Sequence, residues 1–431
     1  EYRGGYQIFN SIGSGMDWSG TGWRTAIYDR QRFVFPNSVI ADPANPGKYI
    51  KNTNIEVANG NGNNGFWTDG INRDVTSNYV TSADFWKLRE LSLSYNVPSS
   101  FLAKSKFIKG CTVSVQGRNL FVWMAKDNYY TDPEYSSGGN TSNGIGNPYQ
   151  MDVSYRGFNA SPALGSPVGM SVYFDGVRFN EPFGDIVNWD LIPPNAISSI
   201  NLIPGSNPLF GLNTLGGALA VNTKSGASYP GLGATLTGGS WGRRAFDFAV
   251  GGENKNQNID YFVAGNIFHE DGWRDYSPSD IKQIFTKTGW HNEKTDLDLS
   301  LALADNEMEG TQALPLSMWG NTKKAYTYPD SIKNKLAMIS LKGSHFLADD
   351  KLIAGNVYYR MSNAKSFNSN VQCNVVAGVS NCPSPSPTGS YSSSEIDAQN
   401  VLSKTYQNGY GSSLQLSLLK DLMGHHNNFT V

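Results

Sequence analysis

The sequence predicts an all-β protein of antiparallel transmembrane β-barrel strands, forming part of a barrel, with a small β-rich segment among them. Three observations predict it. Long tracts alternate between apolar and polar residues, and the connections between them sort into short and long. The 431-residue chain is also poor in charge (16%) and rich in Gly (46), Tyr (22), Phe (21) and Trp (10). A soluble domain averages about 25% charged residues, whereas barrels carry aromatic girdles where they meet the two membrane surfaces. Composition by itself fits a secreted β-sandwich equally well. A formal net charge of −2 offers no footprint for nucleic acid. No run of about 18 apolar residues marks a membrane-spanning helix, which leaves barrel strands open because they show only alternation.

The first 80 residues are aromatic and loop-rich, and the Asn/Gly tract at 58–65 reads as solvated loop. Period-two strands are then plain. Leu91, Leu93, Tyr95 and Val97 alternate with Glu90, Ser92, Ser94 and Asn96, and Val113 and Val115 alternate with Thr112, Ser114 and Gln116. In a barrel the apolar face meets lipid and the polar face the lumen.

From Tyr149 to Gly226 short strands alternate with Gly and Pro turns, and no helical period develops. Arg156-Gly157-Phe158, Val172-Tyr173-Phe174-Asp175-Gly176-Val177, Ile197 to Gly205, Phe210 to Ala218 and Val221-Asn222-Thr223-Lys224 follow in order. This series resembles the second half of the plug domain of TonB-dependent outer-membrane transporters. On that resemblance Arg156, Gly157, Asp175, Gly176, Gly205, Gly211, Gly216, Gly217 and Lys224 are the plug-motif residues. The series departs from the family at Pro204, where many plugs carry a second arginine. A latch of two plug arginines on barrel carboxylates therefore has only Arg156 to form it.

Residues 84–147 resemble the C-terminal barrel strands of SusC-like importers, through Asp84 to Pro98, Gly117 to Trp123 and Asp132-Pro133-Glu134. The strand that closes the barrel in that branch is missing. The expected layout is 1–147 for C-terminal barrel strands, 148–227 for the second half of a plug, and 228–431 for N-terminal barrel strands. This order inverts that of the family. Two fragments joined near Asn147-Pro148 account for it, as does, less economically, a circular permutation. Glu1 and Val431 both fall in mid-pattern, without signal peptide or initiator Met, so the chain reads as a fragment.

After residue 228, strands are expected at 231–238, 243–251, 258–268, 280–290, 295–304, 334–346, 351–361 and 408–420. Leu297, Leu299, Leu301 and Leu303 against Asp296, Asp298, Ser300 and Ala302 is the best alternation; Leu414, Leu416 and Leu418 against Gln415 and Ser417 is close behind. Connections at 252–257, 291–294, 347–350 and 421–427 are short, while the intervening ones at 269–279, 305–333 and 362–407 are long, except for the first tight turn, Gly238 to Gly242. Outer-membrane barrels have short periplasmic turns and long outer loops. A dozen strands cannot close a barrel of about 22, so transport by this chain alone is not expected.

Few residues invite chemistry. Cys373 and Cys382, in the expected outer loop, are candidates for a local disulfide. Cys111 reads as a small buried or lipid-facing residue. His425-His426 reads as a solvated turn. Asp175, Glu181, Asp185 and Asp190 cluster in the plug, where an acid–base pair competes with the plainer role of capping backbone amides. Asp271, Asp275, Glu307 and Glu309 line expected outer loops and could meet substrate or calcium, against simple solubility. No other cofactor and no metal site is expected. No nucleophile elbow, phosphate loop or zinc signature is present, and the chain reads as no enzyme. A glycoside hydrolase would need two carboxylates across one groove, which the sequence does not place.

The resemblance implies energised import of a large scarce solute (glycan, iron chelate or vitamin) across the outer membrane of a Gram-negative bacterium. It implies TonB and its inner-membrane motor as partners, with the coupling segment absent here, and a surface lipoprotein lid for the SusC-like part. Outer-membrane lipid would surround the strands. The alternative is a secreted β-rich binding or adhesion protein without transport.

Overall fold

The computed structural model describes residues 1–10, 13–14, 17, 33–56, 72, 75–102, 110–128, 133, 149, 153–156, 158–162, 168–206, 210–310, 320–373, 375–376, 379–380, 396–422 and 425–430. The chain divides into two compact units, Glu1–Gly138 and Gly139–Val431.

In the first unit, β1 (Tyr2–Arg3) pairs with β6 (Phe85–Asn96), which pairs with β7 (Thr112–Met124). Two small hairpins accompany them: β2 (Gln7–Phe9) with β5 (Val80–Ser82), and β3 (Val39–Ala41) with β4 (Tyr49–Lys51). The expected alternation is realised in register. Leu91, Leu93 and Tyr95 face Gly117, Val115 and Val113, while Ser94 and Asn96 face Ser114 and Thr112. The polar face is stitched by Ser94 Oγ to Ser114 Oγ at 2.8 Å and by Thr112 Oγ1 donating to Asn96 Oδ1 at 2.8 Å. Within its unit the apolar face is uncovered, Leu93 being 76% exposed. Cys111 is exposed just before β7.

The second unit begins with a small mixed sheet. After the hairpin β8 (Val153–Tyr155) and β9 (Phe158–Ala160) come β10 (Met170–Phe174), β11 (Val177–Arg178), β12 (Ile197–Pro204) and β13 (Gly217–Thr223), in the order β11-β10-β13-β12. β10 and β13 run parallel, and all their buried side chains are apolar or small. The longer wall follows: β14 (Gly231–Gly238), β15 (Arg244–Asn254), β16 (Ile259–Glu270), β17 (Ser279–His291), β18 (Thr295–Gly310), β19 (Asp330–Ala348), β20 (Lys351–Cys373), β23 (Ile396–Leu422) and β24 (His425–Thr430). The short β21 (Val375–Val376) and β22 (Val379–Ser380) pair with each other between β20 and β23. The nine wall strands are an antiparallel meander with β14 and β24 at its two edges, so among the described residues the sheet is open.

Apart from the tight turn at 239–243, connections alternate as expected: 255–258, 292–294 and 349–350 are short, against 271–278, 311–329 and 374–395. The strands themselves are longer than expected. β20 and β23 stay paired from Ser362↔Gln407 up to Cys373↔Ile396, where the sequence reads as loop. In these stretches Ser, Asn, Lys and Gln predominate and the apolar residues, Phe367, Val401 and Leu402 among them, are scattered without sustained alternation, so the backbone ladder continues without an amphipathic signal. His425 and His426 likewise lie in β24, paired with Leu422 and Asp421, not in a turn.

The wall's two faces differ. Leu297, Leu299, Leu301 and Leu303 point one way with Ile339, Leu341, Val357, Tyr359 and Leu414, partly or well exposed. The opposite face holds the small sheet. Its middle row runs in register as Ala249, Ala264, Phe285, Ala302, Met338 and Arg360. The expectation of a polar inner face is corrected in part: where the small sheet docks, an apolar row crosses the wall. Met170, Val172, Phe174, Phe179, Leu191 and Val221 join that row in one core cluster. Alanine at three of the six positions lets the sheet approach, and Phe174 meets Phe285 edge-on at 5.7 Å.

Phe285→Ala is expected to cost about 3–5 kcal/mol of docking stability. Amide exchange in Met170–Phe174 should accelerate, while β18–β19 amides away from the contact should not change.

Candidate functional site

Four anchors hold the plug sheet to the wall, and three are carboxylates on plug turns. The first is the Asp175-Gly176 turn. Asp175 (φ 48°) and Gly176 (φ 89°) both adopt left-handed backbone, which glycine takes without strain and Asp tolerates. The turn aims the Asp175 carboxylate back at β13, where it accepts from Thr223 N (2.9 Å) and Thr223 Oγ1 (2.6 Å). It also pairs with Lys287 Nζ of the wall at 2.8 Å. Capping and an ion pair thus coexist at one residue.

The second anchor is Glu181, whose side chain is 1% exposed. Arg360 Nη2 donates to Glu181 Oε1 at 2.5 Å, and Arg360 Nη1 donates to the Phe179 carbonyl at 2.6 Å. Ser362 Oγ (2.8 Å), Gln407 Nε2 (3.1 Å) and the plug's own Asn188 Nδ2 (3.1 Å) complete the cage. Gln407 also accepts from Phe183 N at 2.8 Å.

The third is Asp190, fully buried. Asn334 Nδ2 lies 3.0 Å from both its carboxylate oxygens and Asn306 Nδ2 lies 3.1 Å from one. Asn306 and Gln283 also donate to the Asp190 backbone carbonyl. No cation faces it among these contacts. Burial therefore dominates and pushes the carboxyl up to about 6, against the amide donors that pull it down and with the Glu181 charge adding to the rise.

The fourth secures the chain where it leaves the plug. Asn195 Nδ2 donates to the carbonyls of Phe248 (3.0 Å) and Gly265 (2.7 Å). Lys224 Nζ donates to Asn195 O at 3.0 Å and lies over the Tyr229 ring at 4.7 Å. Gly226 N donates to Asp260 Oδ1 at 2.8 Å. A Cβ at Gly226 would lie 2.3 Å from the carbonyl oxygens of both Gly252 and Tyr261, so only glycine threads this gap.

The sequence-picked plug residues divide accordingly. Asp175, Gly176 and Lys224 lie together at the end of the plug nearest the wall's short turns. Gly205, Gly211, Gly216 and Gly217 lie at the other end, around the connection from β12 to β13. A Cβ on Gly217 would meet Ile203 O at 2.5 Å. Arg156 (φ 51°) is exposed, its guanidinium 5.1 Å from the Tyr155 ring centroid, and it makes no ion pair among the described residues. The ion pairs between the small sheet and the wall place the acids, Asp175 and Glu181, on the sheet's turns and the cations, Lys287 and Arg360, on the wall. Gly157 and Cys382, the second cysteine of the expected disulfide, lie outside the described residues, as does the Asn147-Pro148 join. Glu307 and Glu309 belong to β18 rather than a loop, and Glu307 pairs with Lys333. Among the described residues no His, Cys, Asp and Glu group is arranged to hold a metal.

Lys287, Arg360, Gln283, Asn306 and Asn334 escaped the sequence reading. All have inward parity on strands. Lys287 and Arg360, cations in register with the small and apolar residues Ala302 and Met338 or one row from them, are the signal that would have found part of the set.

Two measurements test the anchors. Arg360→Met leaves Glu181 buried without its cation and is expected to cost about 3–5 kcal/mol; adding Glu181→Gln should recover most of the loss, as followed by amide exchange of Phe179 to Leu191. The second concerns pH. The docked Asp190 carboxyl titrates above its ordinary value of 3.8, so the docked state binds the extra proton. Docking stability therefore falls as pH rises from about 4 to about 6, by on the order of 3 kcal/mol, and is flat above. Asp190→Asn should abolish that slope.

A family model described as the TonB-dependent receptor plug domain matches residues 134–218, opening ahead of the boundary the sequence sets at 147/148. A TonB-dependent receptor of Formosa agariphila is 31% identical over 121 residues, 26% of this chain and 11% of that protein. The pyoverdine outer-membrane receptor FpvA of Pseudomonas aeruginosa is 14% identical, with TM-score 0.46 over 66% of this chain and 41% of the receptor. The ferric-catecholate import receptor Fiu of E. coli is 12% identical, with TM-score 0.46 over 62% of this chain and 38% of the receptor. The chain thus spans about a tenth of the curated relative's length and about four tenths of the solved receptors'. Residues 134–218 of the chain are thus similar to the plug domain of TonB-dependent receptors.

Proposed function

We propose that this chain supplies the plug and adjoining wall of a TonB-dependent importer in the outer membrane of a Gram-negative bacterium, and is a transport element rather than an enzyme. One observation carries the reading: a plug sheet docked on the inner face of an antiparallel wall whose outer face is an uncovered apolar band. Large exposed apolar patches mark interaction or membrane surfaces, and here Leu299, Ile339, Leu341, Val357 and Leu414 are each 40–76% exposed. In this reading 1–147 supplies C-terminal strands, the plug occupies the middle, and 228–431 supplies N-terminal strands. A 22-strand barrel needs further strands to complete the wall.

The cargo class is a large scarce solute: a glycan, an iron chelate or a vitamin. It would first meet the long-connection end. There Trp273, Tyr276, Tyr326 and Tyr328 are each about half exposed, and the rings of Tyr276 and Tyr328 stack at 3.9 Å and 3°. Arg274 Nη2 donates to Lys324 O at 2.7 Å, and Asp275 N donates to Lys323 O at 2.7 Å, joining the two loops. Flat ring faces of this kind suit sugar rings or aromatic chelators. TonB with its motor would supply the force, and a surface lipoprotein lid would serve the SusC-like part.

The membrane reading is tested on the outward face. Leu301→Arg should weaken insertion into lipid vesicles by about 2–4 kcal/mol, the cost of a cation at mid-bilayer on the lipid face. Asn363→Arg, above the band, should cost almost nothing. A chain that stays in solution without detergent, and for which both variants behave alike, would instead mark a secreted binding protein.

A further inference from the structure

The chain leaves the small sheet for the wall past a buried carboxylate, and a histidine holds that carboxylate from behind. Asp260 Oδ1 accepts from Gly226 N at 2.8 Å, and the Asp260 side chain is 3% exposed. Its Oδ2 lies 2.8 Å from His291 Nε2. The other ring nitrogen, Nδ1, lies 3.1 Å from Asp296 Oδ1, and Asp298 Oδ1 is 3.7 Å from Nε2. A neutral imidazole has one N–H and one lone pair, whereas an ionised carboxylate only accepts. Both contacts are satisfied together only by the imidazolium. The backbone is shaped to admit it. Gly289 lies directly opposite Asp260, and a Cβ there would come 2.1 Å from His291 Nε2 and 2.5 Å from Asp260 Oδ2. Glycine at 289 opens the path by which the ring reaches the acid.

His291 is the last residue of β17 and follows Trp290, which with Leu297 forms the last outward apolar pair of β17 and β18 on this side. It therefore stands at the aqueous end of its strand, and its side chain is 38% exposed. The neighbouring charges are otherwise engaged. On β15, Glu253 lies opposite Asp260 and pairs with Lys255. On β17, Lys287 pairs with Asp175. On β19, Lys342 lies opposite Asp298. The linker's own Lys224 donates to Asn195 O. Among the described residues His291 is the one cation in ion-pair contact with Asp260. Burial works against the charged ring, but the hydrogen bonds to Asp296 and Asp260 and the field of Asp298 outweigh it, so His291 titrates above its ordinary 6.5.

We infer that His291, Asp260 and Gly226 form a proton-controlled clasp on the linker between the small sheet and the wall, closed while His291 is charged and loosened when it gives up its proton. On deprotonation the exposed Asp296 can turn to water, and the ring keeps one N–H on Asp260. What Asp260 loses is its counter-charge, and a buried carboxylate without a cation is costly to keep dry. The seated linker shuts Asp260 from water, whereas a lifted linker lets water screen the acid. The seated state therefore binds the proton on His291 more strongly. Its stability is full below about pH 6.5 and falls as pH rises through the raised value. Asp190 acts in a lower window, between about pH 4 and about pH 6, and on a different plug loop. The clasp requires only that sheet and wall can separate, whatever solute the chain serves.

The test is amide exchange of the full chain in detergent, read at Gly226 and at Tyr229, whose N–H donates to Ser225 O at 2.9 Å. Protection is followed from about pH 6 to about pH 9 after correction for the intrinsic exchange rate at each pH. In the wild type it should fall about tenfold, the factor that one unit of pKa difference supplies. His291→Gln should give a flat profile at the low, alkaline level. Asp296→Asn takes one carboxylate from the imidazolium and should move the midpoint to lower pH with the acid-side protection kept; this variant leaves the inference testable should His291→Gln fail to fold. His269 is also bracketed by two carboxylates, Asp271 and Asp280, but at the long-connection end, so His269→Gln should leave the profile as it is. A flat wild-type profile overturns the clasp. So does an unmoved midpoint in Asp296→Asn, or a profile that His269→Gln flattens as well.

Discussion

A carboxylate buried between two sheets has to be answered by donors in fixed places, and Glu181 fixes this structure more than any other group. It receives Arg360, Ser362 and Gln407 from two wall strands and Asn188 from its own loop. Removing two charges from water costs several kcal/mol each, and the pair regains that only when geometry and extra hydrogen bonds are good. Such a pair adds little net stability. What it does is penalise every docking in which Glu181 misses Arg360. The apolar row of Ala249, Ala264, Phe285, Ala302 and Met338 would tolerate a slid plug; the cation at the end of the same row would not.

The inner wall can be read as successive registers, each meeting a different plug turn. Lys287 shares its row with Ser300 and Ser340 and takes Asp175. Two positions further, Arg360 takes Glu181. Two further still, Gln283 shares a row with Ala304, Leu336, Ser362 and Gln407, and beyond it Asn306 and Asn334 take Asp190. A strand repeats its face every second residue, so one plug loop climbing the wall meets a new polar donor at each step. Small and apolar residues fill the places between, and the polar groups that meet the plug turns are bonded there, while Gln283 Oε1, Asn334 Oδ1 and Arg360 Nε have no hydrogen-bond partner among the described residues.

The wall strands were legible because period two survives wherever one face is apolar. Leu297 to Leu303 declare both the strand and its outward side. The alternation ends where a strand leaves the apolar layer, so Ser362–Cys373 and Ile396–Gln407 looked like loop although the ladder runs through them. The plug was legible through its turns: Asp175-Gly176 needs left-handed backbone, and Gly217 needs room against Ile203. The contact between plug and wall was not legible. Lys287 is near Asp175 only through folding, 112 positions on, and a lone inward cation looks the same in sequence as a solvated one. The acids were visible as a cluster, but their plainer role as caps was half the answer, since Asp175 caps Thr223 and pairs with Lys287 at once.

The same dispersion has a consequence for release. In the import reading the plug must loosen without the wall collapsing, and the anchors are arranged in series rather than as one patch. A displacement beginning at the short-turn end strains Asp175–Lys287 and the Asn195 and Gly226 contacts first, while Glu181 and Asp190 still hold their donors. Each contact broken exposes Lys287, Arg360, Gln283, Asn306 or Asn334 to water, and water answers these groups at small cost because they are polar. An apolar wall of equal strength would leave a dry surface that has to be rewetted all at once. Polar groups placed row by row therefore serve two states: they are hydrogen-bonded when the plug is seated, and they line a hydrated path when it is not.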